Sequence, residues 1–446
     1  MPDRILRSKN QRDKMLRNNI LFSSILKIIS LLTSLLIVPV TIGYLNNEVY
    51  GVWMTITSIL YWIGTFDIGL GNGMRNYLAE AISKNDYHAG QRYITTTFVL
   101  LGGIAIFIFL LILVPMLTMD YNRMFNTDSI ANTDLRDALF VAVVFTLLNF
   151  VLRNIGMIFV ALQKYAINDL LNVTSNVISL IIIYLLTKTT TGNLLYVVLA
   201  YTSTSVIIYA LAAIPVFKRY PNLSPKRHAF DTGIGKAIIS KGLGFFFIQI
   251  TSCLVIFGAA NMFINQYCGP TQVTVYNVAY KFFNLLVIGY TIVLAPMWNA
   301  YTDAYIKCDW QWISTTFNRA IKIWGLSVLA GIIMLGICPI FYQLWVGNKV
   351  SVPFAISLST LVYVCFFNLN NCATYLINGL NKINVQIITS IIFTALYIIS
   401  TFLIGNKYGT EGIIFCMAVS YAAMSGIHIY QCRLIINQKA KGIWNK

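Results

Sequence analysis

About twelve long apolar runs alternate with short polar gaps along this chain of 446 residues. They begin near Ile20, Val49, Ile94, Ala138, Leu170, Leu194, Leu243, Val273, Ile321, Phe354, Val385 and Gly412. Each is roughly 18–26 residues long, and a helix of about 20 residues crosses a ~30 Å hydrocarbon core. The pattern predicts an all-α polytopic membrane protein with about twelve transmembrane helices. The first run is too long for the core of a signal peptide, and no small-x-small cleavage site follows it, so it is expected to remain as a membrane helix.

The gaps differ in charge by turns. Twenty-four of the 32 Lys and Arg residues fall in the N-terminal tail, in alternate gaps and in the C-terminal tail, from Arg4 through Arg75, Lys164, Lys218 and Lys382 to Lys446. The other gaps hold five: Arg123, Arg136, Lys188, Lys349 and Lys407. Basic loops stay cytoplasmic, so both termini are expected on the cytoplasmic side.

Composition fits a membrane class, with mean hydropathy of +0.71, 57% hydrophobic residues and only 11% charged ones. The net charge of +17 lies in short inter-span loops, where it serves topology and anionic-lipid contact, so no nucleic acid is expected. No gap is long enough for a soluble domain. The expected organisation is a basic cytoplasmic tail (1–19), an N-terminal six-helix bundle (20–216), a basic linker loop (217–242), a C-terminal six-helix bundle (243–432) and a cytoplasmic tail (433–446), with the two bundles around a central cavity.

A weak internal echo supports duplication. Tyr44 and Val49-Tyr50 precede a span ending at Asp67 to Asn72, as Tyr267 and Val275-Tyr276 precede one ending at Ala295 to Asn299. Two halves with a site between them are what a rocking carrier needs. Pro39, Pro115, Pro215, Pro296 and Pro339 fall late in their spans, where they can kink or hinge a helix.

Several spans carry polar residues at helical spacing. Ser23, Lys27, Ser30 and Ser34 share one face, as do Thr146, Asn149 and Arg153. So do Asn168, Asn172, Ser175, Asn176 and Ser179; Asn277, Lys281 and Asn284; and Asn368, Asn371, Tyr375 and Asn378. Single Asn or Ser residues join neighbouring helices at about 0.6–2 kcal/mol each. Five such faces together favour a wetted cavity. A Lys or Arg at mid-bilayer costs about 2.5–3.5 kcal/mol on insertion scales. Lys27 lies about 10 Å inside its span, Arg153 about 15 Å and Lys281 about 12 Å, counted at ~1.5 Å per residue. No mid-span carboxylate is expected to pair with them, Asp67 being the nearest at an inner span end. Cations without buried anions suit an anionic cargo, and guanidinium and ammonium groups suit phosphate.

Other chemistry is absent. The eight cysteines include no C-x-x-C pair, the three histidines are far apart, and no phosphate-binding G-x-x-x-x-G-K-[ST] loop occurs. No metal, cofactor or catalytic residue is expected, and the chain is read as no enzyme.

The stretch Tyr50-Gly51-Val52-Trp53 through Phe66-Asp67-Ile68-Gly69-Leu70-Gly71-Asn72-Gly73-Met74-Arg75-Asn76 resembles the second-helix signature of bacterial polysaccharide-export proteins. In particular it is similar to Wzx-type O-antigen and capsule flippases of the multidrug/oligosaccharidyl-lipid/polysaccharide (MOP) superfamily. Val275-Tyr276-Asn277-Val278-Ala279-Tyr280-Lys281 resembles the span-eight pattern of the same family. The resemblance implies a flippase that moves polyprenyl-pyrophosphate-linked oligosaccharide repeat units from the inner to the outer leaflet of the bacterial inner membrane by alternating access. It also implies glycan polymerase and chain-length regulator partners. On that reading Lys27, Arg153 and Lys281 neutralise the pyrophosphate. Asn149, Asn172, Asn176, Asn277 and Asn284 meet sugars or position the cations, and Asp67 and Arg75 stand at the cytoplasmic mouth, in a gating or a packing role.

The alternatives are a cation-coupled multidrug exporter of the same superfamily, disfavoured by the lack of mid-span carboxylates, and a peptidoglycan lipid-precursor flippase. A membrane glycan polymerase or ligase is further off, because the largest outer gap is short.

Overall fold

A computed structural model describes residues 2–65, 69–237, 239 and 255–445. Only the backbone is described at 2–21, 23, 24, 65 and 255–257. Asp67, Cys253, the start of the seventh apolar run and the side chains of the basic N-terminal tail lie outside that description. The described residues contain helices and no strand.

The helices run in order as α1 (Pro2–Leu45), α2 (Asn47–Thr65), α3 (Leu70–Ser83), α4 (Tyr87–Thr118), the short α5 (Tyr121–Phe125), α6 (Asn132–Leu152) and α7 (Asn154–Ala161). Then follow α8 (Tyr165–Thr189), α9 (Leu194–Arg219), α10 (Val255–Cys268), α11 (Pro270–Ile306), α12 (Trp310–Val346), α13 (Phe354–Gly379) and α14 (Asn384–Ile436). Among the described residues nine helical segments are long and apolar enough to cross a membrane. One of them, α14, has 53 residues and a left-handed break at Gly409. At 1.5 Å per residue it is far too long for a single crossing, so it is two spans joined there. The protein is an all-α polytopic membrane protein.

Lipid exposure explains why these helices bury so little of themselves. On α4 the side chains of Ile106, Phe107, Leu110, Leu111, Val114 and Leu117 are all exposed, and α12 shows the same along Leu326 to Leu344. A contiguous apolar face of this size is unstable in water and stable against acyl chains. Several hydroxyls inside the spans are settled locally. Thr33, Thr41, Thr55, Thr202, Thr204 and Thr360 each donate to the carbonyl four residues back, at 2.6–3.0 Å.

The chain divides into two compact units. The first comprises Met1–Asn46, Leu60–Met124 and Asp128–Phe246; the second comprises Asn47–Ile59, Phe125–Thr127 and Phe247–Lys446. The first three turns of α2 thus belong with the second unit. There Gly51 faces the start of α11 so closely that an added Cβ would lie 1.7 Å from the Pro270 carbonyl oxygen. Only glycine permits that approach. Thr274 donates to the Asn47 carbonyl at 2.5 Å, and Asn261 donates to the Ser58 hydroxyl at 2.9 Å.

Each unit has its own core. In the first, Met74 and Leu78 of α3 pack with Ile94, Ile155, Ile158 and Tyr209. In the second, Tyr301 of α11 packs with Phe317, Ala373 and Leu376.

The duplication hinted at by the sequence appears as a repeated turn. Lys84 pairs with Glu80 at 2.6 Å, Asn85 adopts positive φ, and Asp86 caps α4 by accepting from the Ala89 N–H at 2.9 Å. In the second half Lys307 pairs with Asp303 at 2.7 Å, Cys308 adopts positive φ, and Asp309 caps α12 by accepting from the Trp312 N–H at 3.0 Å. A second turn recurs as well. Gln163 and Asn381 both have positive φ, and the lysine that follows each lies over a tyrosine ring, Lys164 over Tyr220 at 5.7 Å and Lys382 over Tyr305 at 5.9 Å.

Candidate functional site

In the first unit the polar faces converge where α6 meets α7. Arg153 occupies the junction, half-buried, as the C-cap of one helix and the N-cap of the next. Its guanidinium donates from Nη2 to the Gly64 carbonyl at 2.8 Å. Gly64 lies in the final turn of α2, where carbonyls lack an intrahelical donor and the helix dipole is negative. Arg153 therefore satisfies a helix end as well as placing a positive charge inside the span.

The asparagines stand around it on α6 and α8. Asn149 accepts from the Ser205 hydroxyl at 2.9 Å, and Asn172 accepts from the Tyr209 hydroxyl at 3.0 Å. Gly156, one turn beyond Arg153, makes this possible. A Cβ there would come within 1.9 Å of the Asn168 side-chain oxygen, so the glycine lets α8 close on α7. Asn176 is half-buried on the same helix, whereas Ser175 and Ser179 are taken up by the carbonyls of Leu171 and Ala200. Those two serve packing.

Four residues of this cluster lie beyond the sequence reading: Gly64, Ser205, Tyr209 and Asp169. The carboxylate of Asp169 and the guanidinium of Arg153 both act electrostatically on the Tyr209 phenol. Asp169 precedes Asn172 by three and Asn176 by seven, the same helical face, and that spacing could have identified it. A carboxylate therefore stands in the first turns of α8, closer to the polar cluster than the sequence pattern led one to expect.

Lys27 does not join this cluster. It is exposed on α1 beside Ile25 and Ile28, which are 54% and 60% exposed, and no contact among the described residues links it to Arg153.

In the second unit Lys281 lies eleven residues into α11, roughly 16 Å from its start at 1.5 Å per residue. It is half-buried, and among the described residues no carboxylate pairs with it. Its neighbours on the helix are polar and aromatic. Tyr280 donates to the Asn284 side-chain oxygen at 3.1 Å and stacks on Tyr276 with ring centroids 5.8 Å apart. Asn277 is buried and committed: its amide donates to Asn261 at 2.9 Å and to the Val273 carbonyl at 2.8 Å. It braces α10 against α11.

Arg75 lines a separate recess in the first unit, of about 560 Å³, with Asn76, Ser83, Tyr87, Gln163 and Tyr220. Among the described residues no group of three His, Cys, Asp or Glu side chains could hold a metal ion.

The helices adopt the fold seen in solved transporters of the MOP superfamily. An inward-facing multidrug resistance MATE transporter of that superfamily superposes with a TM-score of 0.76 at 17% identity, over 94% of this chain and 98% of that one. A MOP superfamily transporter from Pyrococcus furiosus superposes with a TM-score of 0.63 at 16% identity, over 95% and 96%. The chain belongs to the polysaccharide biosynthesis protein family, which matches residues 16–297. A Salmonella typhimurium protein named as an O-antigen transporter is 22% identical over 396 residues, 85% of this chain and 87% of that protein.

Proposed function

We propose that this transporter is a flippase for polyprenyl-pyrophosphate-linked oligosaccharide repeat units. It moves them from the cytoplasmic to the outer leaflet of a bacterial inner membrane, by alternating access and without chemistry on the cargo. The glycan would feed O-antigen, capsule or exopolysaccharide assembly, where polymerase and chain-length regulator proteins are the natural partners. Family membership and the relative named for O-antigen transport support the pathway.

The observation that carries the reading is Lys281. A cation held deep in a span costs about 2.5–3.5 kcal/mol on insertion scales and marks a functional site, and no anion of the described chain meets this one. A pyrophosphate supplies the missing charge. Asn284 and Tyr280 beside it offer hydrogen bonds and a ring face to sugar. In the Pyrococcus furiosus transporter a binding pocket of reverse polarity suggests a different function, and a cationic site in a drug-exporter fold is a change of that kind. Arg153 lends a second cation while it holds the end of α2. Asn149, Asn172 and Asn176 serve the same end in the first unit, whereas Asn277 acts by bracing α11. Lys27, on an apolar face, contributes least.

Lys281→Gln should abolish surface glycan and accumulate lipid-linked repeat units, with normal membrane insertion, and Lys281→Arg should restore most of the activity. Normal glycan in Lys281→Gln cells with wild-type expression would refute the reading. A cation-coupled drug exporter instead predicts unchanged glycan and lost drug resistance.

A further inference from the structure

The two copies of the repeated turn differ at three positions that in the first copy line a recess. Counted from the shared acid, lysine and cap, Arg75 corresponds to Trp298, Ile82 to Tyr305 and Tyr87 to Trp310. In the second copy these positions are all aromatic and paired with other rings. Trp298 meets Tyr375 edge-on with centroids 5.8 Å apart, and Tyr305 meets Trp310 at 5.5 Å. Lys382, whose ammonium lies over the Tyr305 ring, donates to the Asn445 carbonyl of the C-terminal turn Gly442–Asn445 at 2.8 Å.

In the first copy Arg75, Ile82 and Tyr87 instead line the recess of about 560 Å³. That is the size of a small-molecule site and far more than a single phosphate fills. Arg75 is half-buried in its wall, and among the described residues its guanidinium donates to the side-chain oxygen of Asn76 alone, at 3.0 and 3.2 Å. Most of its donors face the recess unclaimed among the described residues. The opposite wall offers Gln163, and Tyr87 and Tyr220 bring rings and hydroxyls. Lys164, over the Tyr220 ring at 5.7 Å, adds a second cation at the rim.

We propose that this recess binds the phosphate-bearing headgroup of a lipid, with Arg75 gripping the phosphate oxygens and the tyrosines packing on the hydroxylated part. A planar guanidinium fork suits phosphate, and basic pockets beside membrane helices recognise anionic headgroups. The phosphate belongs either to an anionic phospholipid of the same leaflet or to a polyprenyl phosphate. The site is distinct from Arg153 and Lys281, and its existence does not depend on what those residues carry.

The test uses the full chain in detergent, titrated by native mass spectrometry with dioleoylphosphatidylglycerol, undecaprenyl phosphate and dioleoylphosphatidylcholine. At least one of the two anionic lipids should bind, and Arg75→Gln should weaken it about tenfold or more, as expected for loss of a charge-assisted contact. Arg75→Trp, which copies the second half and so suits the fold, should abolish it with an unchanged melting temperature. Arg319→Gln, an equal loss of charge at an exposed site, should leave it intact. Whichever anionic lipid shows the Arg75 dependence names the source of the phosphate. Equal weakening by Arg319→Gln and Arg75→Gln, unchanged binding in Arg75→Trp, or binding of neither anionic lipid would overturn the proposal.

Discussion

Asp86 and Asp309 perform the same task in the two halves of the chain. Each accepts a hydrogen bond from the backbone N–H three residues on, at 2.9 and 3.0 Å, and each follows a positive-φ residue behind a Lys paired to an acid four residues earlier. The lysine pairs are exposed and screened, so the caps matter more than the ion pairs. Removing a cap costs about 1 kcal/mol. Asp86→Ala and Asp309→Ala should therefore lower thermal stability by similar amounts, and Lys84→Ala and Lys307→Ala should change it little. Melting curves of the purified variants in one detergent test this. A large effect of the lysines with none from the aspartates would contradict it.

Gly51 makes a second, sharper prediction. Its missing Cβ is the space taken by the Pro270 carbonyl, and backbone cannot rotate away as a side chain can. Gly51→Ala should destabilise the second unit by about 1–3 kcal/mol, the usual cost of overpacking. Gly102 and Gly103 on α4 have nothing within 4 Å of an added Cβ. Alanine at either should be neutral or mildly stabilising through helix propensity. Equal tolerance at all three positions would show that α2 does not pack so tightly on α11.

Much of this architecture was legible in the sequence, because membrane spans announce themselves by length and hydropathy. Every expected span start among the described residues falls in a helix, and the kink between the last two spans sits at Gly409, just before the expected start near Gly412. The site was harder to read. Helical spacing put Asn172 and Asn277 on polar faces, but spacing cannot tell whether a neighbouring helix already uses the amide. Asn277 meets Asn261, sixteen residues away across a turn. The Arg153 contact with Gly64 joins residues 89 apart, and no local pattern encodes it. The repeated turn is visible as acid, Lys and Asp at matching spacing before Tyr87 and Trp310, yet it sits between spans, away from the echo that Tyr44 and Tyr267 begin.

Arg153 and Lys281 should separate when stability and transport are measured together. Arg153 donates to a helix-end carbonyl, and hydrogen bonds to charged groups are worth about 1.5–3 kcal/mol. Arg153→Ala should lower both the melting temperature and surface glycan, and Arg153→Lys should recover only part of each, since an ammonium lacks the planar fork. Lys281 supports no carbonyl or carboxylate among the described residues. Lys281→Gln should therefore lose transport with stability unchanged or raised, because it removes a desolvated charge. A destabilised Lys281→Gln protein would assign the lysine to the fold.

Orientation is the last prediction, and it rests on charge alone. Asn222 is exposed in the turn Pro221–Leu223, between Lys218-Arg219 and Lys226-Arg227. Asn132 opens α6 in a gap rich in aspartates, and its amide donates to Asp120 at 3.0 Å. Basic loops resist translocation, whereas acidic residues carry little weight. A reporter active only in the cytoplasm should therefore work when fused after Asn222 and fail after Asn132, and an alkaline phosphatase fusion should give the reverse. Inverted results at both positions would turn the whole chain over. They would place Arg75 and its recess on the outer leaflet, where the inner-leaflet lipid pool cannot reach it.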